Sequence, residues 1–490
     1  MDFSTGSKYE EDPRASRIAS IHVGSSPAFA REPVMTRIAI GAVLAIVGSA
    51  TCDDHNAPAF LSARRAVDAS HAPPDRWSAT ENVLWKVDVP GLAWSSPIVW
   101  RGRVFLTTCV SAGAVRAPRK GLYLEDLNAN AYPPDASPHS WRVLCLDLNT
   151  GETVWERVAH EGVPAKPHHI KNTLASETPT TDGERLYAYF GNVGLYCYDL
   201  SGRLLWERPF APKDTRYGWG TSSSPVVHRG RLYLQCDTEE DSRLLCIDAE
   251  TGEDVWSVER EEKTNYATPF VWEYEGRTEV VTSGIEWARS YDLNGEVLWR
   301  LKGRSILAIP TPFAEGGLLY LTSGHVAWGG NPFYAIKEGA SGDLTPDPEI
   351  AAPLSEHLAW HLPKAGPYHP TPLVEDGLLY ILYDRGLLAC HDARTGREIY
   401  PRKRLPHGAG YTSSPWTYRG RIFCLNEDGG TVAVAAGPEF KILHVNELAE
   451  DDMCMATPIV VGSKLLIRTS ARLYCISAPP GSDAGAAASE

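Results

Sequence analysis

Methionine is scarce in this chain, four among 490 residues, and positive charge is outweighed. The 47 Lys and Arg face 61 Asp and Glu, a formal net charge of −14. A chain this acidic repels phosphate backbones, which excludes nucleic acid as a partner. The charge is scattered rather than blocked, a pattern that serves solubility. No Walker-type, dinucleotide or Ser-His-Asp motif occurs, so nucleotide hydrolysis and triad chemistry have no residues to rest on. Gly218-Trp219-Gly220 is not followed by a helical pattern and reads as a loop feature. The apolar run 38–47 is too short to span a bilayer.

What is present is a repeat. A Ser/Thr-Pro step, a short apolar strand, a turn glycine and a second strand recur eight times, with Pro97, Pro179, Pro225, Pro269, Pro312, Pro372, Pro415 and Pro458 as anchors. The spacing of Pro225, Pro269 and Pro312 matches one propeller blade of about 40–50 residues. A second element follows in most units: an Asp-turn, a glycine, and an aromatic four residues on, as in Gly151 to Trp155 and Gly202 to Trp206. The Asp caps turn amides and the glycine completes the turn. The indole then fills the wedge between neighbouring blades, a role expected of Trp85, Trp155, Trp206, Trp256, Trp299 and Trp360. Near Leu443 no aromatic stands at that position. Insertions are placed between Cys109 and Trp141 and between Gly339 and Leu358.

The ends complement each other. Residues 83–87 read as an outer strand with no inner strands before it, and 472–476 as a third strand with no outer strand after it. The predicted fold is all-β: an eight-bladed β-propeller with four antiparallel strands per blade. An N-terminal strand joins the C-terminal blade and closes the ring. The propeller is assigned to 83–476, a linker to 51–82 and a disordered tail to 477–490. Residues 1–50 are an upstream extension ending in an export signal, 35–50, with Met35 as the true start. Export to the periplasm or outside follows, with membrane anchoring if Cys52 is lipidated. Cys145, Cys197, Cys246, Cys390 and Cys475 share one repeat position and read as buried packing residues. Whether Cys236 and Cys246 pair stays open.

The stretch 144–155, LCLDLNTGETVW, resembles the tryptophan-docking motif of the quinoprotein (pyrroloquinoline quinone, PQQ-type) propellers. The resemblance recurs over roughly 83–476 and implies the fold more than the function. Two kinds of relative divide the family. The PQQ- and calcium-dependent dehydrogenases carry a pair of adjacent cysteines over the cofactor, and some carry a Cys-x-x-Cys-His haem site; this chain has neither. The non-catalytic propeller lipoproteins of outer-membrane β-barrel assembly are similar in blade number, export signal and lack of cofactor motifs. The resemblance therefore implies an exported scaffold or binding propeller, without cofactor or metal. A divergent PQQ- and calcium-dependent dehydrogenase and a glycan-binding propeller are the alternatives.

Loops leading into the inner strands gather at one mouth of a propeller. Here they carry Trp94, His168, His169, Lys171, Asn172, Glu177, Arg216, Tyr217, Trp219, Lys263, Asn265, Tyr266, Tyr368, His369 and Tyr411. Aromatics with a few convergent polar groups describe a ligand concavity for a small molecule, a glycan or a protein segment. The same residues also suit loop-on-loop packing. Adjacent His168 and His169 point to opposite sides of an extended chain and do not share an ion.

Overall fold

A computed structural model describes residues 56–65, 71–115, 117–121, 128–131, 135–302, 305–325, 330–346, 356–406, 408, 410–449 and 451–479. The upstream extension, the export segment 35–50, Cys52 and most of the tail lie outside the described residues. No described helix is long and apolar enough to cross a membrane.

Eight sheets make eight blades, at 98–162, 180–209, 226–259, 270–302, 313–362, 373–404, 416–447, and finally 459–476 with Val83–Asp88. In that last sheet Val83–Asp88 pairs antiparallel with Arg472–Ile476, Trp85 opposite Cys475. Eight clusters of buried side chains each span two neighbouring blades, and the series runs from blade one back to blade one. The core of this protein therefore lies between blades rather than within them.

Both ends of each interface have a recurring fastener. On the outside, an indole lies on the turn glycine of the next blade. A Cβ added to Gly151, Gly202, Gly252, Gly295 or Gly396 would meet Trp85, Trp155, Trp206, Trp256 or Trp360 at 2.7 to 3.1 Å. Each of these indoles also donates Nε1–H to a carbonyl of that same turn, at 2.9 to 3.3 Å. On the inside, the repeated Ser/Thr-Pro step forms a girdle. Proline has no N–H, so the preceding Ser or Thr carries the last donor before the inner strand. That N–H donates to the hydroxyl of the next blade's Ser or Thr. Ser96, Thr178 and Ser224 do so to Thr178, Ser224 and Thr268, and Thr311, Thr371 and Ser414 to Thr371, Ser414 and Thr457. The two steps without this bond, Thr268 to Thr311 and Thr457 to Ser96, are four blades apart.

Three features depart from the sequence reading. Trp299 packs in the cluster between blades four and five but lies on no turn glycine of blade five: it is 0% exposed and donates Nε1–H to Glu279 of its own sheet at 2.8 Å. The insertion after Gly339 explains this, because Gly342–Asp343 pairs in parallel with Val297–Lys302 and makes blade four five-stranded. Its chain covers the edge that Trp299 would otherwise cover. Second, the segment assigned as linker is built into the ring. Within 56–65, Ala57 exchanges backbone bonds with Val99 of blade one, and Pro58 accepts from Thr181 of blade two. Arg64 donates to the Thr371 and Pro372 carbonyls at blade six, while its own carbonyl accepts from Thr417 of blade seven. Blades two and six face each other across an eight-membered ring, so this segment crosses the central channel. Third, Trp77 enters the cluster between blades seven and eight, beside Phe423 and Leu443. It supplies the aromatic that blade seven lacks.

The nine described cysteines are unpaired thiols. Cys236 lies opposite Arg243 and Cys246 opposite Tyr233, so the two sulfurs are not juxtaposed across their hairpin.

Two alanine substitutions separate docking from turn geometry. Gly202 and Gly230 both have positive φ, +86° and +74°, but only Gly202 has an indole where the Cβ would go. Gly230→Ala is expected to cost about 1 kcal/mol of backbone strain. Gly202→Ala should cost roughly 1–3 kcal/mol more, because Trp155 must leave its place. Urea titration of the two variants against the parent checks the difference; equal costs would remove the docking argument.

Candidate functional site

The mouth holds a cavity of about 480 Å³. Its wall includes Trp94, His169, Lys171, Asn172, Tyr217, Trp219, Tyr266, Tyr368 and His369 from the loops that precede the inner strands. Four other loop residues expected there lie elsewhere. Tyr411 is 0% exposed in the core between blades six and seven, its hydroxyl donating to the Pro406 carbonyl. Asn265 is buried, donating to Lys263 O and Asp237 and accepting from Ala308 N–H. Arg216 turns into a neighbouring groove and donates to the Ile306 carbonyl. Glu177 sits behind the wall, accepting from Thr221 Oγ1 at 2.6 Å and Gly191 N–H at 3.2 Å. Away from this cavity, Lys263 donates to the Glu239 carbonyl, and His168 lies near His139 and Asp135.

The wall also has parts the loops do not supply. Seven girdle residues line it, all except Thr311. His325 and Arg385 come from the ends of second strands, and Phe60 from the segment that crosses the channel. The girdle was visible in the sequence as the recurring Ser/Thr before proline. Phe60 had no such signal, since nothing in one dimension shows that its segment enters the ring.

The loops are held by their own bonds. Trp94 Nε1–H donates to the Lys171 carbonyl at 2.6 Å, and Asn172 Nδ2 to Thr221 O at 2.9 Å. His169 and Tyr217 pack their rings against Trp219. Lys171 Nζ reaches Glu427 Oε1 at 2.6 Å, with the carboxylate fully inaccessible, and also the Gly121 carbonyl at 3.1 Å. Gly121 N–H returns a bond to Glu427 at 2.6 Å. Lys171 enters at blade two and Glu427 ends the second strand of blade seven, three steps round the ring. This ion pair ties loops from separate blades to the insertion. At blade six the Asp384 carboxylate accepts from the N–H groups of Tyr368 and His369, at 3.0 and 3.1 Å, and from His369 Nδ1. A carboxylate only accepts, so Nδ1 carries the proton.

No carboxylate lines the cavity among the described residues. Glu177, Asp384 and Glu427 are each occupied by the donors just named. A calcium-bridged quinone needs anionic oxygens at the wall, and the described wall residues do not offer them. Among the described residues no group of three or more His, Cys, Asp or Glu is placed to hold a metal ion.

Fold and site together define an eight-bladed β-propeller with a cupped mouth. More particularly, the chain resembles the family described as "Outer membrane protein assembly factor BamB", whose profile matches residues 139–305. The BamB of Yersinia pestis is 25% identical over 191 residues, 36% of this chain and 45% of that relative. The match thus spans less than half the length of the relative. Among solved structures, BamB from Moraxella catarrhalis aligns over 80% of this chain and 99% of its own, with TM-score 0.52 and 10% identity. A europium-containing methanol dehydrogenase aligns over 87% and 98%, with TM-score 0.54 and 10% identity. The quinohemoprotein alcohol dehydrogenase of Comamonas testosteroni aligns over 86% and 81%, with TM-score 0.51 and 12% identity. Likeness at this level shows the shared fold, which both kinds of relative have.

Burial raises the Glu177 carboxyl from 4.5 to about 7, more than its hydrogen bonds lower it. The unfolded chain then releases this proton first, so the contribution to stability declines from pH 4.5 to 7 and is level above. Glu177→Gln keeps the acceptor for Thr221 and Gly191 and removes the decline. The variant should match the parent near pH 4.5 and exceed it near pH 8 by something on the order of 3 kcal/mol. Chemical denaturation at the two pH values measures this; a constant offset would mean Glu177 does not titrate in that window.

Proposed function

We propose that this chain is a non-catalytic binding propeller, exported to the cell envelope, that serves as a scaffold in the assembly of envelope proteins and holds its ligand in the mouth. The observation that carries the reading is the cup itself: an aromatic-walled cavity of about 480 Å³, its centre crossed by 56–65. Ligand sites are concavities of this size, apolar with a few placed polar groups. The donor set supports binding over calcium–quinone chemistry, because the acids near the wall are already bonded. Resemblance to a relative named as an outer-membrane protein assembly factor supports the envelope role. The apolar run 38–47 behind Arg37 supports export.

The test is made in cells and on the purified chain. Cells lacking the protein should hold less folded β-barrel protein in the outer membrane, and the parent gene should restore it. Trp219→Ala with Tyr266→Ala removes two aromatic walls, each worth about 2 kcal/mol if it anchors a ligand. The double variant should fold with an unchanged β-sheet spectrum and fail to restore. Full restoration would overturn the mouth as the working site. A protein recovered only from the cytoplasm would overturn the envelope role.

A further inference from the structure

The mouth differs from the rest of the surface in charge and in hydrogen-bonding sense. The protein carries −14, yet the described cavity wall has no acidic side chain. Its floor is rich in donors. Thr178, Ser224, Thr268, Thr371, Ser414 and Thr457 each accept an N–H from the preceding blade. A hydroxyl whose lone pair is taken still has its own proton to give, and all six residues line the cavity. Two further hydroxyls in the wall are buried with no protein partner, Ser96 Oγ and Tyr266 OH. Ser96 is 2% exposed. Burying such a group without a partner costs about 1–3 kcal/mol, and each is a donor for which the protein supplies no acceptor.

Positive charge stands behind and beside this floor. Arg468 is 1% exposed and donates to Ser95 O at 3.0 Å and Ser95 Oγ at 2.6 Å, directly next to Ser96. No described carboxylate pairs with it, and its Nε has no acceptor. Burial lowers its pKa only to about 9, so it stays a cation at neutral pH. Arg385 stands exposed in the cavity wall. Around the donors rise Trp94, Trp219, Tyr266 and Tyr368. Aromatic faces set against a polar, donor-rich floor suit a ring with apolar C–H faces and oxygen-bearing edges.

We propose that the mouth cavity binds an acidic saccharide, a sugar unit carrying a carboxylate, with its carboxylate and hydroxyl oxygens on the girdle hydroxyls, Ser96 and Tyr266, and its C–H face on the aromatic wall. This rests on the reading of the mouth as the working site and names what the site takes. Arg385 in the wall and Arg468 behind the floor give the carboxylate its preference over a neutral sugar, and the floor donors give the sugar its place.

The probes are an oligogalacturonate of two or three units, the neutral galactose oligomer of the same length, and PQQ with calcium. Each is titrated calorimetrically into the full-length folded chain at low and high salt. The acidic oligomer should bind, weaken with salt, and exceed the neutral one by roughly tenfold or more. Ser96→Ala and Tyr266→Phe delete hydroxyls that no protein group uses, so both variants should melt no lower than the parent. Each should nevertheless lose roughly three- to tenfold in affinity for the acidic oligomer. Equal binding of the neutral oligomer would overturn the charge argument, and unchanged affinity in both variants would overturn the placement. Tighter, calcium-dependent binding of PQQ would replace the saccharide with the quinone. If none of the three binds while Trp219→Ala with Tyr266→Ala still fails in cells, the ligand class is wrong and the mouth remains the working site. If none binds and that double variant restores the cells, both readings fall.

Discussion

Everything in this protein hangs on the wedge between neighbouring blades. A four-stranded sheet of short strands has no interior of its own, and each one here acquires a core only by facing the next. The eight apolar clusters are all of this kind. The wedge is wide outside and narrow inside, and the two fasteners match its shape. A flat indole over a glycine fills the wide end, and one N–H to hydroxyl bond closes the narrow end. A single such bond contributes only about 1 kcal/mol. Its value is geometric: it sets the distance between inner strands six times round the ring, and so sets the width of the cavity above them.

Where the repeat breaks, chain from outside the repeat fills in. Blade seven has no outer aromatic, and Trp77 comes to its interface with blade eight. Blade five has no docking glycine for Trp299, and the strand Gly342–Asp343 covers that edge instead. The channel, which eight short inner strands leave open, is crossed by 56–65 with Arg64 bonded to carbonyls on blade six. Burial depresses that guanidinium to about 10, which leaves it charged, and its carbonyl partners and the Phe313 ring answer the charge. These are compensations for imperfect repetition, and they make the N-terminal segment part of the propeller.

Periodic features were legible in the sequence because they repeat. The Gly-to-aromatic offset of four gave the docking, the Pro spacing gave the blades, and the aromatic loops pointed to the mouth. What failed to show was anything that depends on direction. Tyr411 and Tyr266 stand alike before their prolines, yet Gly386 and Gly408 leave room for the Tyr411 ring to turn into the core. Asn265 and Asn172 look interchangeable, but only Asn172 has a wall position, because Asp237 and Ala308 draw Asn265 beneath it. The hydroxyls before the prolines were on view throughout as markers of the repeat. Their second role, as the floor of the cavity, follows only when the inner strands are arranged in a circle.

The mouth is held more firmly than loops of this length require. Lys171 and Glu427 form an ion pair across blades two and seven, with the carboxylate wholly buried and further bonded by Gly121 and Thr412. Desolvating two charges consumes much of their attraction, so such a pair adds little net stability. It does fix one arrangement, because parting either partner strands a buried charge. The loop carrying Trp94, His169 and Asn172 contacts is thereby tied to blade seven, three steps round the ring. Burial raises the Glu177 carboxyl to about 7, and Asp384 is spent on His369 and the Tyr368 N–H, so these two acids beside the cup are both engaged away from it. A protein with fourteen excess negative charges thus turns the described acids nearest the cup away from it, and a preorganised wall without acids among its described residues favours an anion.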